Sequence, residues 1–267
     1  MNWNVALYFE LIKMEFKRHL VYRASFVTGI INYSIQMGAY LFLWSAVYSQ
    51  RASLGGLSKD EMLSYVIIAW IARAFYFNNV DREISKEIED GKVALELIRP
   101  YNYTAVKVAR ALGEAGFRLL FFSLPSALLI YFLHPFDLPE KATIWVMFLL
   151  ACLGAFLLNV QLAIITGFCA FFTHSTAGLI RAKRVVLDLF SGLLIPISFY
   201  PPWAQDLIQY LPFQSISYLP NLIYLGKLSD GAAMQVLLTQ VIWITILALI
   251  AKMLWRRALV ALVVQGG

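Results

Sequence analysis

Charge is what this 267-residue sequence has least of: Asp, Glu, Lys and Arg together make up 14% of it. About 25% is usual for a soluble domain. The hydrophobic share is 60% and the mean hydropathy +0.69, more apolar surface than so few charges can screen from water. The soluble class is thereby excluded and a membrane protein is expected. Two cysteines, Cys152 and Cys169, stand in one apolar stretch without CxxC spacing, and there are only three histidines. That leaves no metal-ligand pattern, and the cysteines read as small buried hydrophobes. There is no G-x-x-x-x-G-K-[ST] loop, no H-E-x-x-H and no G-x-S-x-G elbow, so neither P-loop ATP binding nor those hydrolytic chemistries can reside in this chain. His174 and Ser175 adjoin each other but lack a third catalytic partner. A continuous signal-peptide h-region is also missing, because Glu10, Lys13, Glu15, Lys17 and Arg18 interrupt the first twenty residues.

What is present is a series of apolar runs long enough to cross a bilayer, for which about 20 residues suffice. They cover roughly 26–48, 62–80, 113–133, 142–172, the stretch up to about 200, and 234–254. Six spans are expected in a single membrane domain over 1–267. The fourth exceeds the bilayer's requirement, which predicts tilt or a break near Gly154–Asn159. Residues 1–24 read as an interfacial helix, with Val5, Tyr8, Phe9, Ile12 and Phe16 on one face and Glu10, Lys13 and Lys17 on another. The segment 201–230 is aromatic but broken by Pro201, Pro202, Pro212 and Pro220. It cannot span as one helix and reads as a re-entrant or interfacial pair.

Sixteen of the 22 Lys and Arg fall on one side of this topology and four on the other, with Arg73 and Arg118 inside spans. This bias places both termini in the cytoplasm. The net charge of +6 is thus an orientation and headgroup signal, and nucleic acid is not an expected partner.

Intramembrane charges need a reason. Glu114 and Arg118, four apart, form a structural pair, with Arg73 snorkelling or joining them. Asp188 has two readings. It pairs with Arg181 or Arg184 at its helix start, or it lines a substrate path with Asn159, Gln161, Phe168 and Phe172, where an acid beside aromatics would hold an organic cation.

The most charged stretch, 81–110, begins with Asp81-Arg82-Glu83-Ile84-Ser85-Lys86-Glu87-Ile88-Glu89-Asp90-Gly91. Ile84 and Ile88 share one face of a short helix that Gly91 can end. Val93, Leu95, Leu97 and Ile98 supply a second apolar patch before Arg99-Pro100. A charged helix with an apolar edge is suited to docking on a partner.

The run Glu83-Ile84 through Gly91, then Leu95 to Pro100, resembles the cytoplasmic loop of ABC type-2 exporter permeases. It is most similar to the branch whose permeases are encoded apart from their ATPase. Tyr22-Arg23 before the first span and the six-span plan share the resemblance. The resemblance implies a membrane domain of two six-span halves in a bacterial inner membrane, with ATP and Mg held by a separate ATPase. It also implies a second permease, identical or homologous, and no cofactor on this chain. The coupling residues it implies are Glu83, Ile84, Glu87, Ile88, Glu89, Gly91, Leu95, Arg99 and Pro100. Members of this branch include exporters of toxic organic cations such as viologens, so a small cationic amphiphile is the expected substrate. Two other classes stay open: an ion-driven secondary transporter, which wants mid-membrane ionisable groups and an internal repeat, and a non-transporting scaffold or membrane enzyme.

Overall fold

The computed structural model describes residues 5–21, 23–173 and 176–265. They are almost wholly helical, as expected. Four helices are long and apolar enough to cross a membrane: Phe26–Gln50, Tyr103–Leu133, Ala142–Phe171 and Asp230–Leu259.

Helix α1 (Val5–Leu20) lies along α6 (Tyr103–Arg118), where Phe16 meets Phe117 at 6.1 Å, and Phe121, just beyond that helix, at 6.0 Å. Its inward face differs from the expected one. Ile12, Glu15, Phe16 and His19 turn inward while Val5 and Phe9 stay exposed, and the buried Glu15 carboxylate is paired in place with Arg18. Gly113 of α6 sits against the Ile12 carbonyl so closely that a Cβ there would collide with it. Gly113→Val is therefore expected to detach α1 while leaving the spans folded, read as new proteolysis confined to 5–20 with an unchanged unfolding temperature of the core.

Helix α2 (Arg23–Val47) is followed by a two-strand hairpin, β1 (Ser53–Leu54) and β2 (Leu57–Ser58), turned through Gly55 and Gly56 at positive φ. Ser58 then caps α3 (Lys59–Tyr76) in a reciprocal box with Glu61. Twelve of the 18 residues of α3 are buried. The helix forms the middle of the bundle, although Lys59, Asp60, Glu61 and Arg73 lower its hydropathy. After α4 (Val80–Glu89) and α5 (Val93–Leu97) comes a long element of α6 (Tyr103–Arg118), a π-turn (Leu119–Ser123) and α7 (Leu124–Leu133). The third span thus starts ten residues earlier than its apolar run.

Helix α8 (Ala142–Phe168) is the most enclosed of the long helices and is unbroken, so of the expected tilt or break near Gly154–Asn159 the break does not occur. Gly154 serves a close approach instead: the Gln240 side chain fills the place of its Cβ, and Gln240 Nε2 donates to Ala151 O at 2.9 Å and Ser215 O at 2.8 Å. Asn159 is absorbed in the same way, its Nδ2 donating to Tyr76 O at 2.9 Å.

The fifth apolar run is not one helix. Helix α9 (Ala177–Phe190) has 14 residues, about 21 Å of helix, and stops at Gly192, whose φ is +80°. Tyr65 Oη donates to Gly192 O at 2.5 Å, Tyr218 N donates to Ser191 O at 2.8 Å, and a Cβ at Gly192 would meet Tyr218 Cβ at 2.7 Å. These contacts hold the left-handed turn that only glycine adopts freely. The Pro-rich segment then forms two short helices, α10 (Pro202–Ile208) and α11 (Tyr218–Tyr224), before α12 (Asp230–Gln265) packs along α8. Trp203 and Tyr210 are exposed, while Ile208, Ile216 and Ile223 are buried. Lys227 pairs with Glu61 at 2.5 Å and ties the segment to the start of α3.

Candidate functional site

The charged stretch after α3 holds the expected short helix as α4, Val80–Glu89. Asp81 and Glu83 in the first turn of α4 suit the positive helix end. Gly91, at φ +69°, reverses the chain as expected. Ile84 and Ile88 do share a face, but that face is turned into the bundle. Ile84 is 0% exposed and lies on Gly167 of α8, where a Cβ would meet Ile84 Cβ at 2.8 Å and Asp81 O at 3.2 Å. The apolar edge is thus used internally, because only a glycine on α8 lets the two backbones approach. Arg82, Lys86, Glu89 and Asp90 form the exposed face.

Ion pairs fix α4 on both flanks. Lys107 of α6, 1% exposed, donates to Glu83 at 2.7 Å and to Glu87 at 2.6 Å. Arg110 approaches Glu83 at 3.4 Å, and Tyr103 Oη donates to Glu87 at 2.5 Å. On the other flank Lys183 of α9 pairs with buried Asp81 at 2.6 Å. A displacement of α4 therefore has to move α6, α8 and α9 with it or break buried pairs. Lys107, Lys183 and Gly167 were not singled out from the sequence. Only the charge density of 81–110 hinted at the first, and spacing alone offered no signal for the other two.

Beyond Gly91, Val93 is buried, while Leu95 is 60% and Ile98 81% exposed, with Arg99 and Pro100 exposed beside them. This second apolar patch does remain open; the Leu97 side chain lies outside the described residues. Glu96 pairs with Arg99 at 3.2 Å and accepts from Tyr101 Oη at 2.5 Å. Burial and the Glu96 carboxylate raise the Tyr101 phenol above its usual range.

Behind α4 is a small cavity lined by Arg73, Tyr76, Asn159, Lys183, Arg184 and Asp188 among others. Asp188 and Asn159 both line it. Gln161 instead lines a cavity between the start of α6 and α12, with Tyr103, Lys252 and Trp255. Phe168 is fully buried in a stack with Tyr103 at 6.3 Å and Trp255 at 5.0 Å, and Phe172 is 51% exposed. The five residues therefore do not form one path. The Asp188 carboxylate is engaged by Arg73, 115 positions earlier, at 2.8 Å, and not by Arg181 or Arg184. Arg73 correspondingly does not join the Glu114–Arg118 pair, which forms as expected while Arg118 Nη1 donates to Phe77 O at 3.3 Å. Tyr22, His174 and Ser175 lie outside the described residues.

A bundle of long apolar helices carrying a charged helix strapped across its end is the arrangement the sequence resemblance implied, and residues 34–266 match the family model described as ABC-2 family transporter protein. The chain belongs to the ABC-2 transporter family. Among curated proteins none matches it significantly. Family membership makes this ABC-2 permease a multi-pass membrane transport component, not itself the ATPase, and implies association with an ABC ATPase. The match begins inside α2, so α1 stands outside it, and it includes all of α4, α9 and the Pro-rich segment.

Proposed function

We propose that this permease is one half of the transmembrane part of an exporter in a bacterial inner membrane. ATP and Mg are held by a separate ATPase that docks on the outer face of α4. The observation that carries the reading is the two-sided character of α4: its inner face is tied to α6, α8 and α9, while Arg82, Lys86 and Glu89 face outward. Between α4 and α9 runs a groove of about 390 Å³, lined by those residues with Asp90 and Arg181, able to receive a charged element of a partner. Glu83, Ile84 and Glu87 are then transmitting residues, and the exposed Leu95–Pro100 stretch flanks the docking surface.

In this reading the chain crosses six times. The four long helices are joined by α3 and by a composite crossing of α9 with the Pro-rich segment 201–230, which forms the outer gate. Both termini lie on the cytoplasmic side, in accord with the Lys and Arg bias. The exposed apolar face of α2, including Ile31, Ile35 and Phe42, is available to lipid and to a second permease, identical or homologous. The cargo is a small amphipathic molecule. The expectation of a cationic cargo came from the resemblance and from Asp188, and the Arg73 partner removes the second of these supports.

Purification in mild detergent from native membranes, followed by mass spectrometry, tests the assignment. A P-loop protein should remain bound to the wild type and dissociate from the Lys86→Glu/Glu89→Lys double variant, with the variant's unfolding temperature unchanged because both side chains are exposed. Recovery of the chain alone, where a control ABC complex survives, would count against ATP coupling and turn attention to ion-driven transport.

A further inference from the structure

Phe77 links α3 to α4 in an extended conformation, and three guanidinium groups from three helices surround its ring. The Cζ atoms of Arg73, Arg118 and Arg184 lie 5.2, 4.9 and 5.3 Å from the ring centroid. A cation over an aromatic face gains about 0.5–2 kcal/mol. That is too little to hold three like charges together where water is partly excluded. Asp188 balances Arg73 and Glu114 balances Arg118. Lys183, next to Arg184, is spent on Asp81. Among the described residues no carboxylate lies within ion-pair distance of half-buried Arg184. The cluster thus keeps one uncompensated positive charge, which is costly in this setting unless a counter-charge arrives from outside the chain.

The surroundings of the ring specify what that counter-charge is attached to. On one side, buried Tyr76 lines the cavity with Arg184 and Asn78. On the other side a cavity of about 300 Å³ is walled by Tyr33, Trp70 and Phe122, with Gln36, Arg73 and Arg118 at its polar end. That volume is at the lower limit for small-molecule sites. We infer that the space around Phe77 binds an amphiphile through an acidic headgroup, a phosphate or carboxylate, held by Arg184 with Arg73 and Arg118, its apolar body lying along Trp70 and Phe122. A cationic headgroup would meet three guanidiniums there and is rejected.

As a statement about cargo this rests on the permease reading; as a statement about binding it rests on this chain alone. The two are separable by experiment. The purified chain, without any ATPase and in neutral maltoside detergent, is titrated with dodecyl phosphate, dodecyltrimethylammonium and dioleoylphosphatidylglycerol, and occupancy is read by native mass spectrometry. Saturable binding of one acidic amphiphile per chain is expected, at least tenfold weaker in Arg184→Gln and unchanged in Arg256→Gln. Because Arg184 has no ion-pair partner among the described residues and touches only the Phe77 ring, its neutralisation should not lower the unfolding temperature. Tight phosphatidylglycerol that dodecyl phosphate fails to displace supports the site with a membrane lipid as its source. Binding of dodecyl phosphate with phosphatidylglycerol excluded supports it with a single-chain cargo as the source. Equal binding of the trimethylammonium probe, or wild-type affinity in Arg184→Gln, overturns the inference. Failure to co-purify an ATPase would remove the exporter reading and leave this result standing.

Discussion

Replacing Lys107 by methionine is expected to lower the stability of the purified permease by about 3 kcal/mol and to abolish ATP-driven transport. Removing one member of a buried pair costs about 3–5 kcal/mol because the remaining charge is left uncompensated. Here one ammonium serves two carboxylates, at 2.7 and 2.6 Å. The lower end of the range applies, since Glu83 keeps an exposed side and Arg110 still approaches it at 3.4 Å. Thermal unfolding in detergent measures the loss. Lys86→Met, which removes an exposed lysine one turn away from the same pairs, should stay within about 0.5 kcal/mol of wild type. Neutralising one acid in turn, in Lys107→Met/Glu87→Gln, should recover part of the deficit. If Lys107→Met unfolds at the wild-type temperature, the ion pairs do not hold α4 and the transmission argument fails with them.

The second large effect is expected at Gly167, where α4 rests on α8. A leucine there places its Cβ 2.8 Å from Ile84 Cβ and 2.9 Å from Ile84 Cγ2, so α4 has to lift. Overpacking of this kind costs about 1–3 kcal/mol, and the displaced helix strains the Lys107 and Lys183 pairs as well. Hydrogen exchange should show lost protection across Val80–Glu89 with the α8 amides near Gly154 still protected. Unaltered exchange in α4 would mean that the contact is not the seat on which this helix rests.

The membrane class, the α4 helix with its Gly91 terminus, and the Glu114–Arg118 pair were legible in the sequence because each depends on composition or on neighbours within four positions. Contacts across the bundle were not. Asp188 finds Arg73 at a separation of 115 residues, and no local spacing distinguishes that partner from Arg181 or Arg184. Helical periodicity does not say which face of the helix meets the bundle, and the resemblance set Glu87 among the coupling residues. Its neighbour Glu89, two residues on, does face outward. Gly154 and Gly192 illustrate the same limit from opposite sides. The first sits in an unbroken helix because Gln240 fills the space beside it; the second ends a helix because Tyr65 captures its carbonyl. Glycine alone permits either outcome, and long-range partners choose.

Because its inner face is satisfied by its own chain, α4 exists as a formed helix before any partner arrives. Segments that order only on association spend part of the interaction energy on lost backbone entropy; this one has already settled that cost during folding. If an ATPase docks on α4 as proposed, their association is a rigid-body encounter, whose rate is set by diffusion and charge and not by a folding step. A newly made permease would then be ready for capture as soon as it is inserted.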